Sequence, residues 1–325
     1  MKRWRSTSLW YAAGGALLGC ALTLLAQLAS REIPREIVAY RRDRPSAFGA
    51  IRLAEGRLTG FGYAPYPTYV NSKRAEEVLR PLIDPDSGRF LVQDHALGVA
   101  SSASQFIAAV ERDRKLSMKP LTSALLVGDP NPGTDLDVLP FLQGSAREIE
   151  DISEIYKGLD TRVLTRSAAT PAHVLAALGS ADIVHLSAHA EADLSDPGRS
   201  RFHLSPAGNA PGDLSVRDIL RQRLQRTRLV VTAACDTQAG LVSASEGSLG
   251  LGSAFLTAGV PAVVSSLWKV DDYATARLFV HFHRELRRGA DPLSALRTAQ
   301  LQELGGSNRT WASFEVFGGV AERKP

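Results

Sequence analysis

Two residues of this chain could together do covalent chemistry. Cys235 closes the Val-rich run Leu229-Val-Val-Thr-Ala-Ala234, and His189 follows Asp182-Ile-Val-His-Leu-Ser187. A cysteine attacks as its thiolate, and a free thiol ionises only near pH 8.5. A neighbouring imidazole is what makes it nucleophilic at neutral pH. Each residue also has a plain explanation. A single buried cysteine packs as a small hydrophobe, and a histidine after a strand is commonly a hydrogen-bonded structural group. Taken one at a time, spacing favours those plain explanations. His185 lies four residues before His189, and period-two alternation puts both on one face if the extended backbone continues that far; packing is its expected role. Asp236 and Glu246 are acids near the thiol that could polarise the site or hold the loop between 236 and 247. Cys20 is the other cysteine. Two cysteines build no disulfide framework, and no Cys/His pair has zinc-ligand spacing, so neither metal nor cofactor is expected.

For thiol and imidazole to meet, the strands that end in them must be neighbours. From about residue 76 the pattern alternates strand and helix. A short strand is expected from Phe90-Leu91-Val92, with further strands over 123–127, 161–164, 182–187, 228–234 and 260–268. Helices are expected over 103–112, 145–159, from Thr170-Pro171 onward, and over 214–224, 247–258, 271–288 and 292–304. Apolar runs of four to eight residues alternating with helices predict a parallel sheet covered on both faces. In such sheets ligands bind beyond the carboxyl ends of the strands, where His189 and Cys235 both fall. A nucleotide-binding reading fails because no strand is followed by G-x-G-x-x-G; Gly247-Ser-Leu-Gly-Leu-Gly252 opens a helix without a preceding strand in register.

The 325 residues are 44% hydrophobic and 22% charged, with 27 Gly and 17 Pro, an ordinary globular composition that excludes collagen-like, coiled-coil and disordered chains. Basic residues number 38 against 34 acidic, a net charge of +4. They are scattered rather than gathered on a face with interleaved aromatics, so nucleic acid is not an expected partner. The first thirty residues differ from the rest. After the basic head Met1–Arg5, residues 8–30 are 23 positions without a charge, enough for a helix to cross a hydrocarbon core of roughly 20 residues. The run is longer than a signal-peptide core and ends without a small-residue cleavage site. A single membrane-spanning helix over 8–30 is therefore expected. Three basic residues precede it and five (Arg31, Arg35, Arg41, Arg42 and Arg44) follow closely, which tilts the large C-terminal part toward the cytoplasm. Residues 31–75, with the extended Ala64-Pro65-Tyr66-Pro67, are expected as linker and lead-in.

Val184-His-Leu-Ser-Ala-His189, Leu229-Val-Val-Thr-Ala-Ala-Cys235-Asp-Thr237 and Ser245-Glu246-Gly247 resemble the CHAT-domain peptidases, caspase-like cysteine peptidases of the group that includes separase. The resemblance continues through Gly250-Leu-Gly-Ser-Ala-Phe-Leu-Thr-Ala-Gly259 and Val264-Ser-Ser-Leu-Trp268-Lys-Val270-Asp271-Asp272. Upstream it takes in Leu126-Val127-Gly128-Asp129-Pro130 and Ala146-Arg147-Glu148-Ile149, and it covers about residues 76–320. It implies a three-layer α/β caspase-like sandwich with a mostly parallel central sheet. It also implies that Cys235 attacks a peptide carbonyl, that His189 protonates the leaving amine, and that backbone N–H groups of Cys235 and Ala190 hold the oxyanion. Position 190 is glycine in the usual pattern, and alanine cannot reach positive φ cheaply. Asp272 falls where separase-like members carry an acid recognising a basic P1 side chain; Asp271 and Asp236 are further candidates. Asp271 and Asp272 also begin a helix, where carboxylates cap free N–H groups. Capping is put first for Asp271, and Asp272 is left open. The function expected is a membrane-anchored cysteine endopeptidase that cleaves a partner protein in bacterial signalling or defence. A separate activator protein is expected with it, because the chain shows no sensor module. The alternative is a non-catalytic scaffold or sensor on the same fold, which Ala190 alone favours.

Overall fold

The residues of Ser123–Pro130, Ile183–Ser187, Leu229–Ala233 and Ala262–Ser266 are all buried, as strands must be when helices cover both faces of their sheet. The computed structural model describes residues 89–131, 142–193, 195–234, 247–305 and 310–321, together with strand segments at 36–41, 48–54, 57–63 and 241–243. In chain order the strands are β1 (Glu36–Arg41), β2 (Phe48–Ala54), β3 (Arg57–Tyr63), β4 (Ala96–Ala100), β5 (Ser123–Pro130), β6 (Asp160–Arg166), β7 (Ile183–Ser187), β8 (His189–Glu191), β9 (Arg201–His203), β10 (Asp213–Ser215), β11 (Leu229–Ala233), β12 (Leu241–Ser243), β13 (Gly247–Leu249), β14 (Ala262–Ser266) and β15 (Phe314–Gly318). The helices are α1 (Ala103–Ser117), α2 (Gln143–Ile155), α3 (Pro171–Leu178), α4 (Val216–Leu220), α5 (Leu251–Thr257), α6 (Asp272–Arg287) and α7 (Pro292–Glu303).

The main sheet runs β1-β2-β3-β4-β15-β14-β11-β7-β5-β6. Its block β14-β11-β7-β5-β6 is parallel throughout, and β15 is antiparallel to β14. The architecture is thus α/β with a mostly parallel central sheet, as the alternating pattern predicts. Successive residues of each central strand feed opposite layers. Leu126, Val231 and Val264 pack with Ile149 and Ile152 of α2, Phe279 and Phe282 of α6, and Leu296 of α7. Leu125, Val127, Val184, Val230 and Val263 pack with Val174 and Leu178 of α3, Ile219 of α4 and Phe255 of α5. Side chains alternate along a strand, so one run of apolar residues builds both cores.

Several elements differ from the expected ones. Residues 36–63, read as linker and lead-in, hold β1, β2 and β3, and β3 pairs in parallel with β4. Glycines at 49, 60 and 62 interrupt the apolar-polar alternation that would have marked these strands. No strand begins at Phe90: the Gln93 side chain accepts a hydrogen bond from the Phe90 N–H at 2.9 Å and closes a turn, and β4 begins at Ala96. The helix expected over 247–258 begins at Leu251, after β13, and the one expected over 214–224 is the short α4, preceded by β10. The apolar stretch 8–30 lies outside the described residues, among which no helix is long and apolar enough to cross a membrane.

Candidate active site at the carboxyl edge of the parallel strands

Strands β7 and β11 are hydrogen-bonded neighbours, parallel, with Ser187 opposite Ala233. His189 and Cys235 each follow two residues after that register pair, at strands spaced about 4.8 Å apart. Cys235, Asp236 and Glu246 themselves lie outside the described residues. The end of β11 is tied to β14 on its other side. Ser266 Oγ donates to the Ala234 carbonyl at 2.5 Å, and Thr232 Oγ1 donates to the Val264 carbonyl at 3.0 Å. The edge that leads to position 235 is therefore held by side-chain bonds as well as by the ladder.

The chain bends at Ala188, so the extended backbone that would set His185 and His189 on one face does not continue. His189 instead opens β8 in a separate three-stranded sheet, β10-β9-β8. It is partly exposed and sits opposite His203 in the antiparallel register. Glu191, Arg201 and Asp213 share that face, since alternate residues and directly opposed pairs do so. His203 Nδ1 lies 3.0 Å from Asp213 Oδ1 and its Nε2 3.4 Å from Glu191 Oε2; Arg201 bonds Glu191 at 2.6 Å. Sequence reading missed this sheet because its strands are three residues long, although Phe202 and Leu214 between polar neighbours carry the period-two signal. Ala190 faces the opposite way, opposite Phe202 and against the core. Among the described residues only Asp129 and Arg166 combine a side chain with positive φ. The backbone at 190 is therefore one that alanine adopts without strain.

Asp271 caps α6: its Oδ1 accepts from the Ala274 N–H at 2.8 Å, the role put first for it. Asp272 reaches across to α2. Its Oδ2 accepts from the Gly144 N–H at 2.5 Å and its Oδ1 from the Ser145 N–H at 3.1 Å. A Cβ at residue 144 would lie 2.7 Å from the Asp272 carboxyl carbon, so only glycine admits this approach. Burial holds the Asp272 carboxyl above its ordinary range, assisted by the charges of Glu148 and Asp271 and opposed by the two backbone bonds.

Behind β7 lies a chain of buried polar groups. Tyr156 Oη is 2.7 Å from His283 Nδ1, and His283 Nε2 is 3.0 Å from His185 Nδ1. His185 Nε2 approaches Glu148 Oε1 to 3.1 Å, off the axis that a hydrogen bond needs. Ser187 Oγ donates to Glu148 Oε2 at 2.6 Å. All five side chains are buried. Burial, with the adjoining His185, holds His283 well below its ordinary pKa, and burial raises Tyr156. His185 is thus packed, as expected, but in a polar setting. Sequence reading did not assign Glu148, Ser187, Tyr156 or His283 a place near the site. The legible signal was an acid at 148 between Ser145 and Ile152, on the helix face that buries Ile149. Among the described residues no cluster of three His, Cys, Asp or Glu is placed to hold a metal ion.

Residues 78–319 match the family model described as the CHAT domain. No curated protein matches the sequence. Among solved structures the chain is similar to the Arg-specific cysteine proteinase gingipain R of Porphyromonas gingivalis, at 10% identity and a TM-score of 0.48, over 78% of this chain and 68% of that one. It is similar to separase in the Saccharomyces cerevisiae separase–securin complex at 12% identity and a TM-score of 0.49, over 73% of this chain but 14% of that one. Caspase-1 from Spodoptera frugiperda is similar at 11% identity and a TM-score of 0.38, over 63% and 92%.

Proposed function

Because the chain belongs to the CHAT-domain family, with a match over residues 78–319, we propose that it is a cysteine endopeptidase in which Cys235 is the nucleophile and His189 the base and acid. The observation that carries this reading is the pairing of β7 with β11, parallel and with Ser187 opposite Ala233. His189 takes the proton of the Cys235 thiol, leaving a thiolate–imidazolium pair. The sulfur attacks the peptide carbonyl carbon, and the C=O electron pair moves onto oxygen, where the N–H groups of Cys235 and Ala190 receive it. As the C–N bond breaks, the imidazolium protonates the departing amine. His189 then takes a proton from water, whose oxygen attacks the thioester and frees the thiol. No step needs a cofactor.

Asp272 is the proposed recognition group for a basic P1 side chain. Each of its oxygens is engaged once by α2 and keeps a second lone pair for a guanidinium or ammonium group. Residues 8–30 are proposed as a membrane anchor that leaves the peptidase domain on the cytoplasmic side, where it would meet a partner protein as substrate and a separate activator. The test is iodoacetamide labelling at Cys235. A thiol paired with His189 should react at neutral pH at least ten times faster than free cysteine, and His189→Ala should remove the advantage. Equal rates would replace the peptidase by a non-catalytic scaffold.

A further inference from the structure

We propose that Glu148 is a positioning residue for His189 and acts through Ser187; the inference rests on the peptidase reading above. Ser187 is the last residue of β7, and α2 holds both its hydroxyl and its carbonyl. Its Oγ donates to Glu148 Oε2 at 2.6 Å, and its carbonyl accepts from Ser145 Oγ at 3.0 Å. Ser145 Oγ itself accepts from the Asp129 N–H at 2.9 Å, so its one proton is the one given to Ser187. A single buried residue, Ala188, separates this clamp from His189. The clamp therefore sets the direction in which the chain leaves β7 for the imidazole.

Behind Glu148 the buried polar groups form one chain, Tyr156–His283–His185, whose last ring nitrogen comes to 3.1 Å of the carboxylate. With His283 kept neutral by burial and one proton on each ring, the imidazole chain has two proton arrangements. In one, Tyr156 donates to His283 Nδ1, His283 donates from Nε2 to His185 Nδ1, and the His185 proton sits on Nε2 facing Glu148. In the other, His185 turns a bare lone pair toward the carboxylate, which repels it. The first is assigned on that ground. A buried carboxylate is costly unless its partners offset its lost hydration. Here the partners are the serine that ends β7 and an imidazole fixed from its far side, so the acid is held where it can hold Ser187. Catalytic groups tolerate roughly 0.5 Å of misplacement, and about 1 Å can cost 10²-fold.

The experiment labels the full chain with iodoacetamide, follows Cys235 by peptide-resolved mass spectrometry, and records thermal unfolding of each variant. Glu148→Gln and Ser187→Ala should each slow neutral-pH labelling by about tenfold or more. The double variant should be no more than about twofold slower than the slower single one, because both remove the same contact. The loss should vanish above about pH 9, where the thiol ionises unaided. Leu178→Ala removes a buried side chain of α3 in the opposite core layer, away from the imidazole chain. It should lower the melting temperature yet leave the labelling rate within about twofold, which separates positioning from general destabilisation. Should Glu148→Gln not fold, Ser187→Ala carries the test. Folded Glu148→Gln or Ser187→Ala proteins labelled at the wild-type rate would overturn this inference and leave the peptidase reading standing. A wild-type chain labelled no faster than free cysteine would overturn both.

Discussion

Asp272 serves helix α2, and the proposed function gives the same carboxylate a pocket to line. Its two oxygens take the N–H groups of Gly144 and Ser145, and such a cap is worth about 1 kcal/mol. Asp272→Asn keeps one acceptor but turns an NH2 group toward the other donor. The variant should unfold about 1 kcal/mol more easily and cleave after Arg or Lys more slowly, with Cys235 labelled at the wild-type rate. Cleavage unchanged in the folded variant would remove Asp272 from the pocket. Two other buried groups give stability opposite pH dependences. The unfolded chain takes up a proton on His283 below about pH 6.5 that the folded chain refuses; this contribution is whole above pH 6.5 and falls as the pH drops. Burial pushes the Glu315 carboxyl up to about 7 from 4.5. Although part of the residue is accessible, Oε2 is enclosed without a hydrogen-bond partner. Between those values the folded state binds a proton that the unfolded state has lost, so stability falls as pH rises through 7. Glu315→Gln should therefore gain stability over wild type at pH 8, on the order of 1–3 kcal/mol, and gain little at pH 5. Urea titrations at both values check it, and an equal gain at each would contradict the assignment. At this scale the candidates His189 and Cys235 stand out in the sequence because they end apolar runs. Glu148 does not, since its role depends on a serine 39 positions away, and nothing local marks such a pair.

The elements that the sequence made legible are those whose burial is one-sided or complete. β5, β7, β11 and β14 are short apolar runs between helices, and a parallel sheet is the one arrangement that buries both their faces. The Thr170-Pro171 start of α3 was legible for a local reason: Thr170 Oγ1 accepts from the His173 N–H at 3.2 Å, and proline suits the first turn. β8, β9 and β10 were not, because strands of three residues are too short to stand out from the turns around them. They matter nonetheless, since they carry His189 out of the main sheet and set it opposite His203. Phe279, fully buried on α6, meets the rings of His185, Phe282 and Phe314 and so ties α6 to β7 and β15. Phe279→Ala should cost roughly 3–5 kcal/mol in denaturant unfolding. A loss below about 1 kcal/mol, the range of surface substitutions, would show that the two layers are not joined there.

Taken whole, the molecule is a CHAT domain preceded by 23 uncharged residues at 8–30. Deleting residues 1–30 should release a folded domain into aqueous buffer, while the full chain should stay with membranes until detergent is added; a full chain of unchanged mass that needs no detergent would contradict the anchor. Cleavage of peptide bonds in another protein by Cys235 and His189 is read out by comparing new protein N-termini across cells that make the wild-type chain, Cys235→Ala or His189→Ala. General acid–base catalysis contributes roughly 10²–10⁴-fold, so the histidine variant should lose nearly as much as the cysteine variant. A small set of N-termini should be present with the wild type and absent with both variants; identical sets in all three would rule out the peptidase reading.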